Sequence, residues 1–129
     1  MNTKLSHRIL IIEDNVDSAE SLKMLLEINE HKVEIAADGE SGLQKALEFK
    51  PQVIVCDIGL PGELDGLEVA KVLRQREKMQ SVCMIALSGY GQIEDVNAAR
   101  QAGFNHHLVK PADFDKLIDL VENFKHYEG

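Results

Sequence analysis

QVIVCD, residues 52–57, runs through four consecutive apolar side chains and closes on a carboxylate. A run so short and so apolar reads as a β-strand buried on both faces, expected here over Gln52–Cys56. Four further runs share its character: Arg8–Ile12, Lys32–Ala36, Ser81–Leu87 and His107–Val109. Between them lie segments of helical period. Val16, Ala19, Leu22 and Leu26 fall on one face, with Asn15 placed to cap. Leu43, Ala46 and Leu47 form a second stripe that Pro51 stops, and Leu67, Ala70 and Leu73 a third. Ile93, Val96 and Ala99 precede Gly103, and Phe114, Leu117, Ile118, Val121 and Phe124 make the last. Their spacing places each set on one helix face, as a core-facing stripe requires. Five repeats of strand then helix predict an α/β fold with a parallel sheet covered on both sides.

The 129 residues suit one domain, with its core over about residues 7–125. No Gly/Ser linker, charge block or low-complexity stretch divides them. Apolar residues make up 44% and charged residues 28%, a globular balance. Lys plus Arg number 14 against 22 Asp plus Glu, for a net charge of −8. That charge repels nucleic-acid phosphate and anionic membrane, so neither is an expected partner. Cys56 and Cys83 lie inside apolar runs with no metal-ligand spacing, which fits a reduced compartment. The start MNTKLSHR lacks the apolar core of a signal peptide, and no segment approaches membrane-spanning length. A cytoplasmic protein is expected.

In parallel sheets ligands collect at the carboxyl ends of the strands, near the point where strand order reverses. Here the first strand leads into Glu13-Asp14, the third into Asp57, the fourth into Ser88 and the fifth into Lys110. Singly, each has an ordinary explanation. Asp14 or Asn15 caps a helix, Ser88 before Gly89 makes a turn, and Lys110 before Pro111 is a loop residue. Together, at four of five strand ends, they point to a site. Three crowded carboxylates repel unless a cation joins them, and hard oxygen ligands suit Mg²⁺. A carboxylate beside Mg²⁺ and an ammonium is suited to accept a phosphoryl group, whose oxygens both cations neutralise. Asp57 is the better nucleophile, because it follows a central apolar strand. Gly59 leaves its carbonyl free to face the metal, and Ser88 can donate to a phosphoryl oxygen.

The segments ILIIEDN, VIVCDIGLPG, IALSGYG and AGFNHHLVKP, in this order and spacing, resemble a response-regulator receiver domain of two-component signalling. The last two, with EDN, most resemble receivers of hybrid sensor histidine kinases. The resemblance implies a flavodoxin-like doubly wound sheet of strand order 2-1-3-4-5. It implies Asp57 as phosphoacceptor, Asp14 as direct Mg²⁺ ligand, Glu13 acting mostly through water, and the Gly59 carbonyl completing the protein ligands. Ser88 would follow phosphorylation, Lys110 would hold the phosphoryl group, and the Lys110–Pro111 peptide would be cis. His107 stands at the switch position, three before the lysine, where the family carries Tyr or Phe. An imidazole there can titrate. Gly59 and Tyr90, each two beyond a reacting side chain, would tune hydrolysis of the aspartyl phosphate. PGELDG is one residue longer than the commoner loop, so Glu63 or Asp65 would displace the segment after Asp57.

The function implied is acceptance of a phosphoryl group from a histidine kinase or histidine phosphotransfer protein. The only chemistry expected of the chain itself is phosphoryl acceptance and self-dephosphorylation, so it is not an enzyme in the ordinary sense. No output domain follows Gly129, so output through protein contact is expected. The alternative is a Mg²⁺-dependent phosphatase of the haloacid-dehalogenase type, but that chemistry wants a second Asp at position 59, which is glycine. A flavin module is disfavoured, because EDNVD puts carboxylates where a flavin phosphate needs backbone donors. Residues 89–91, GYG, are too short for a phosphate loop.

Overall fold

All five residues of Val53–Asp57 are buried, as a strand at the centre of a covered sheet must be. In this computed structural model, which describes residues 6–89 and 93–127, that strand is the third of five. In chain order the elements are β1 (Arg8–Ile12), α1 (Val16–Ile28), β2 (Lys32–Ala36), α2 (Gly39–Phe49), β3 (Val53–Asp57) and α3 (Gly66–Arg74). A 3₁₀ turn (Glu77–Met79), β4 (Cys83–Ser88), α4 (Ile93–Ala102), β5 (His106–Val109) and α5 (Phe114–Tyr127) follow. The strands are parallel in the order β2-β1-β3-β4-β5. The winding direction reverses between β1 and β3, which opens a crevice above their carboxyl ends.

Alternate side chains of each strand feed two cores. Leu10, Ile12, Ile54, Cys56 and Met84 pack with Ala46 of α2, Val69 and Leu73 of α3 and Ala99 of α4. Ile9, Ile11, Val53, Val55 and Ile85 pack with Leu22 and Leu26 of α1 and with Leu117 and Val121 of α5. The period-two alternation of β1, β3 and β4 thus assigns α1 and α5 to one face and the other three helices to the opposite one. Asn15, Asp38 and Asp65 cap α1, α2 and α3, each accepting from the backbone N–H three residues on.

Three strands differ from their apolar runs. β3 lies one residue later than expected and keeps Asp57, because Asp57 pairs with Leu87 and the Ile58 N–H donates to the Leu87 carbonyl. β4 begins at Cys83 rather than Ser81, since Val82 N–H closes a turn onto Met79, and it extends to Ser88. β5 gains His106 through pairing with Ile85. The stripes also narrow. Val16 is 70% exposed and Phe114 48%, both being first residues of helices that overhang the sheet edge, and Leu47 is exposed too. The side chain of Ile93 lies outside those described.

Two polar assemblies clamp the frame. Arg74, at the end of α3, donates to the carbonyls of Gly103, Met79 and Gln80 and to Asn105 Oδ1, at 2.8–3.1 Å. At the amino ends of β1 and β2, the rings of buried His7 and His31 stack at 5.5 Å. His31 Nδ1 accepts the His7 backbone N–H at 3.1 Å, so its proton sits on Nε2, which faces Glu122 at 3.3 Å. Thiols Cys56 and Cys83 are both buried, and burial pushes the Cys56 thiol far above its ordinary value. Among the described residues no helix is long and apolar enough to cross a membrane.

The turn that carries β3 into α3 closes on Gly66, whose N–H donates to the Ile58 carbonyl. A Cβ at Gly66 would collide with the Asp57 carbonyl and the Ile58 backbone, neither of which can yield. Gly66→Ala is therefore expected to lower stability by about 3 kcal/mol, read as a fall in denaturant midpoint at constant m-value.

Candidate functional site

Backbone ladders deliver each site residue. The Glu13 N–H donates to the Ala36 carbonyl at 2.9 Å, just past the end of β1. Pairing of Ile12 with Cys56 then puts Glu13 beside Asp57. The Lys110 N–H donates to the Ser88 carbonyl at 2.7 Å, so the lysine leaves β5 directly above the same crevice. The peptide that follows, Lys110–Pro111, is cis.

The Lys110 ammonium donates to Glu13 Oε1 at 2.8 Å and to Asp57 Oδ2 at 2.7 Å. Asp57 Oδ1 accepts the Gly59 N–H at 2.8 Å. Gly59 thus meets Asp57 through its N–H. Glu13 is 1% exposed, and its Oε2 is buried with no hydrogen-bond partner among the described residues. Asp14 is exposed at the rim. One carboxylate oxygen from each of Glu13, Asp14 and Asp57 lies within 4.8 Å of the others. An orphaned buried oxygen inside a cluster of hard donors fits a divalent cation of the Mg²⁺ kind.

The electrostatics follow from crowding. Burial, and then the neighbouring Asp57, raise the Glu13 carboxyl to about 7, against the pull of Lys110. Burial pushes Asp57 upward too, yet hydrogen bonds with Glu13, Lys110 and the Gly59 N–H win and hold it below the usual carboxylate range. Burial would lower Lys110, but the hydrogen bonds to its two carboxylates outweigh that and raise it. One carboxylate stays ionised while its neighbour prefers a proton, the pattern expected of like charges sharing a dry site.

Ser88 is buried, and its Oγ lies 2.7 Å from His107 Nε2. His107 belongs to β5, so the hydroxyl at the site and the edge strand of the sheet share one hydrogen bond. Of the residues expected at the site, Glu13, Asp14, Asp57, Gly59 and Lys110 come together, and Ser88 and His107 pair beside them. Tyr90 lies outside the described residues. In the loop after Asp57, Asp65 is engaged as the cap of α3 and Gly62 adopts φ +92°. Phe114, expected in the core, instead lines a cavity of about 460 Å³ with Glu13, Leu22, Lys110 and Pro111. Its place as the first residue of α5 was the signal, because helical side chains lean toward the preceding turn.

The response regulator receiver domain model matches residues 9–122, a span that includes the acidic cluster at the winding reversal and the lysine that bridges two of its members. The chain belongs to the response regulator receiver family. The receiver is 35% identical over 117 residues to the transcriptional regulatory protein PrrA of Mycobacterium leprae, covering 91% of this chain and 49% of PrrA. It thus spans about half the length of that relative. The receiver domain of a Francisella response regulator superposes with a TM-score of 0.86 at 27% identity, over 96% of this chain and all of the other. The receiver domain of a sensor histidine kinase from Pseudomonas aeruginosa, with a magnesium ion coordinated in its active-site cleft, gives 0.83 at 28% identity, over 92% and 97%. Nothing in these likenesses supports the phosphatase alternative, and position 59 of the receiver is glycine.

Glu13 generates a pH signature in the metal-free receiver. Its folded value of about 7 exceeds the ordinary 4.5, so its stabilising contribution is whole below pH 4.5 and is lost as pH rises through about 7. Asp57, held low, acts the other way: its contribution is whole above its ordinary 3.8 and is lost as the pH falls below that. Thermal midpoints without metal are expected to fall between pH 4.5 and 7, and Glu13→Gln to flatten that fall. At neutral pH, Mg²⁺ at roughly ten times its Kd is expected to add about 1.4 kcal/mol, or about 3–5 °C.

Proposed function

We propose that this receiver takes a phosphoryl group from a phosphohistidine onto Asp57 and signals by protein contact. The observation that carries this reading is the Asp57 carboxylate, ionised and oriented at both oxygens, by the Gly59 N–H on one and Lys110 on the other. A nucleophile so held needs little reorganisation, and positioning is most of what phosphoryl transfer asks of a protein. The Asp57 oxygen attacks phosphorus as the bond to the donor imidazole nitrogen breaks, and that imidazole carries away the electron pair. The new acyl phosphate retains two negative charges.

Glu13, Asp14 and Asp57, with the Gly59 carbonyl, would hold Mg²⁺, which neutralises phosphoryl oxygens when bound. The orphaned Glu13 Oε2 supports that assignment, and the magnesium of the Pseudomonas receiver agrees with it. Lys110 exchanges its hold on the two carboxylates for one on the phosphoryl oxygens. Ser88 trades its contact with His107 for a hydrogen bond to the phosphoryl group, which loosens His107 and alters the β5 edge. Tyr90, two residues beyond Ser88 in the sequence, is assigned to limit attacking water, so the aspartyl phosphate of Tyr90→Ala would hydrolyse faster. Its only enzymatic character is this self-phosphorylation and self-dephosphorylation. We read residues 1–129 as a single receiver domain, cytoplasmic, served by a histidine kinase or phosphotransfer protein in a hybrid-kinase relay. The likeness to a sensor-kinase receiver supports that context.

Incubation with acetyl phosphate and Mg²⁺ is expected to add one phosphoryl group to the intact mass, absent with EDTA and absent in Asp57→Ala. A modification that survives Asp57→Ala would sink the assignment. Lys110→Ala is expected to slow the phosphorylation by about 10²-fold, the scale of losing one charge-stabilising group.

A further inference from the structure

On a chain of net charge −8, the amino ends of the strands carry a basic hollow. A concavity of about 1350 Å³ opens there, at the end of the sheet opposite Asp57. Arg8, Lys50, Arg76 and Lys78 line it against the single carboxylate of Glu77. None of the four cations forms an ion pair among the described residues. Arg8 Nε donates to the Lys50 carbonyl at 2.9 Å, which holds the guanidinium beside the end of α2. Lys50 caps α2 at φ +53°, where glycine or asparagine would be less strained. The hollow is not purely polar: Leu47 is 40% exposed in its wall, with Pro51, Met79, Val82 and Phe124 buried behind.

We propose that this hollow is a docking site for a linear peptide segment that is both acidic and apolar, contributed by a partner protein. Its size exceeds the roughly 300–1,000 Å³ of small-molecule pockets, so an isolated anion would leave most of it empty. A nucleic acid would bring phosphates against the acidic remainder of the surface. An extended peptide spans the hollow, sets carboxylates on the four cations and seats an apolar side chain on Leu47. The site lies away from Asp57, Lys110 and the crevice they occupy, so a partner can be held there while phosphoryl transfer proceeds at the other end.

The test is fluorescence anisotropy with a short fluorescein-labelled peptide of mixed Asp, Glu and Leu, compared with its Asn, Gln and Leu analogue. The acidic peptide is expected to bind, to weaken with added salt, and to lose about tenfold in affinity to the double variant Arg76→Glu/Lys78→Glu. Both residues are exposed on the connection to β4, so circular dichroism and thermal midpoint are expected to hold. Lys50→Asn separates binding from folding: it tolerates the left-handed backbone, keeps stability, and weakens the peptide several-fold. Equal affinity for the amide analogue, or no change in either variant, overturns the proposal. So does binding through these cations to phosphatidylcholine–phosphatidylserine vesicles without binding to peptide, which would make the face a membrane contact. Self-association in sedimentation that the double variant abolishes, with no peptide binding, would assign the hollow to a second copy instead.

Discussion

One ammonium holds two buried carboxylates at the carboxyl end of the sheet. Lys110 reaches Glu13 and Asp57 from the far strand, and those acids stand together only because β1 and β3 are neighbours. The pairing of β1 with β3, across β2 in chain order, is therefore as much a chemical constraint as a topological one. It also fixes the proton balance. A pair of buried carboxylates cannot both ionise cheaply, so Asp57 keeps its charge and Glu13 tends toward the acid form. Below about pH 7 a cation that enters displaces that proton as well as engaging the ammonium's partners.

Most of this was legible in the sequence, for physical reasons. Continuous Val/Ile runs leave one interpretation for β1, β3 and β4, and the residue types closing them cannot be core. The helix cap at Asn15 is local, set by residues three apart, and local features survive translation from sequence to fold; the caps at Asp38 and Asp65 obey the same rule but emerge only in the structure. Strand ends are less local. Asp57 and Ser88 join their strands because hydrogen bonding to the neighbouring strand outlasts the apolar run, and no single-strand pattern records that. Val16 and Phe114 keep helical period yet lie beyond the sheet, so periodicity alone cannot tell a core face from an overhang.

Other features needed three dimensions outright. The direct bond between Ser88 and His107 joins residues nineteen apart through the β4–β5 register. The stacked His7 and His31 pair, with Glu122 beyond, assembles from two strand beginnings and the last helix. The basic hollow gathers Arg8 from β1, Lys50 from the end of α2, and Arg76 and Lys78 from the link between α3 and β4, each unremarkable among fourteen Lys and Arg in an acidic chain. Net charge conceals such a cluster because it sums over a surface that the fold divides.

Arg74 gives that hollow a kinetic character. Its guanidinium donates to Met79 and Gln80 on one side and to Gly103 and Asn105 on the other, which ties the connection bearing Arg76 and Lys78 to the start of β5. A lysine could not serve, since its three donors lack the planar fork. Two neighbouring cations on a pinned segment form a fixed positive field rather than a fluctuating one. An approaching chain of opposite sign is then steered before contact, and little ordering of the receiver remains to slow its capture.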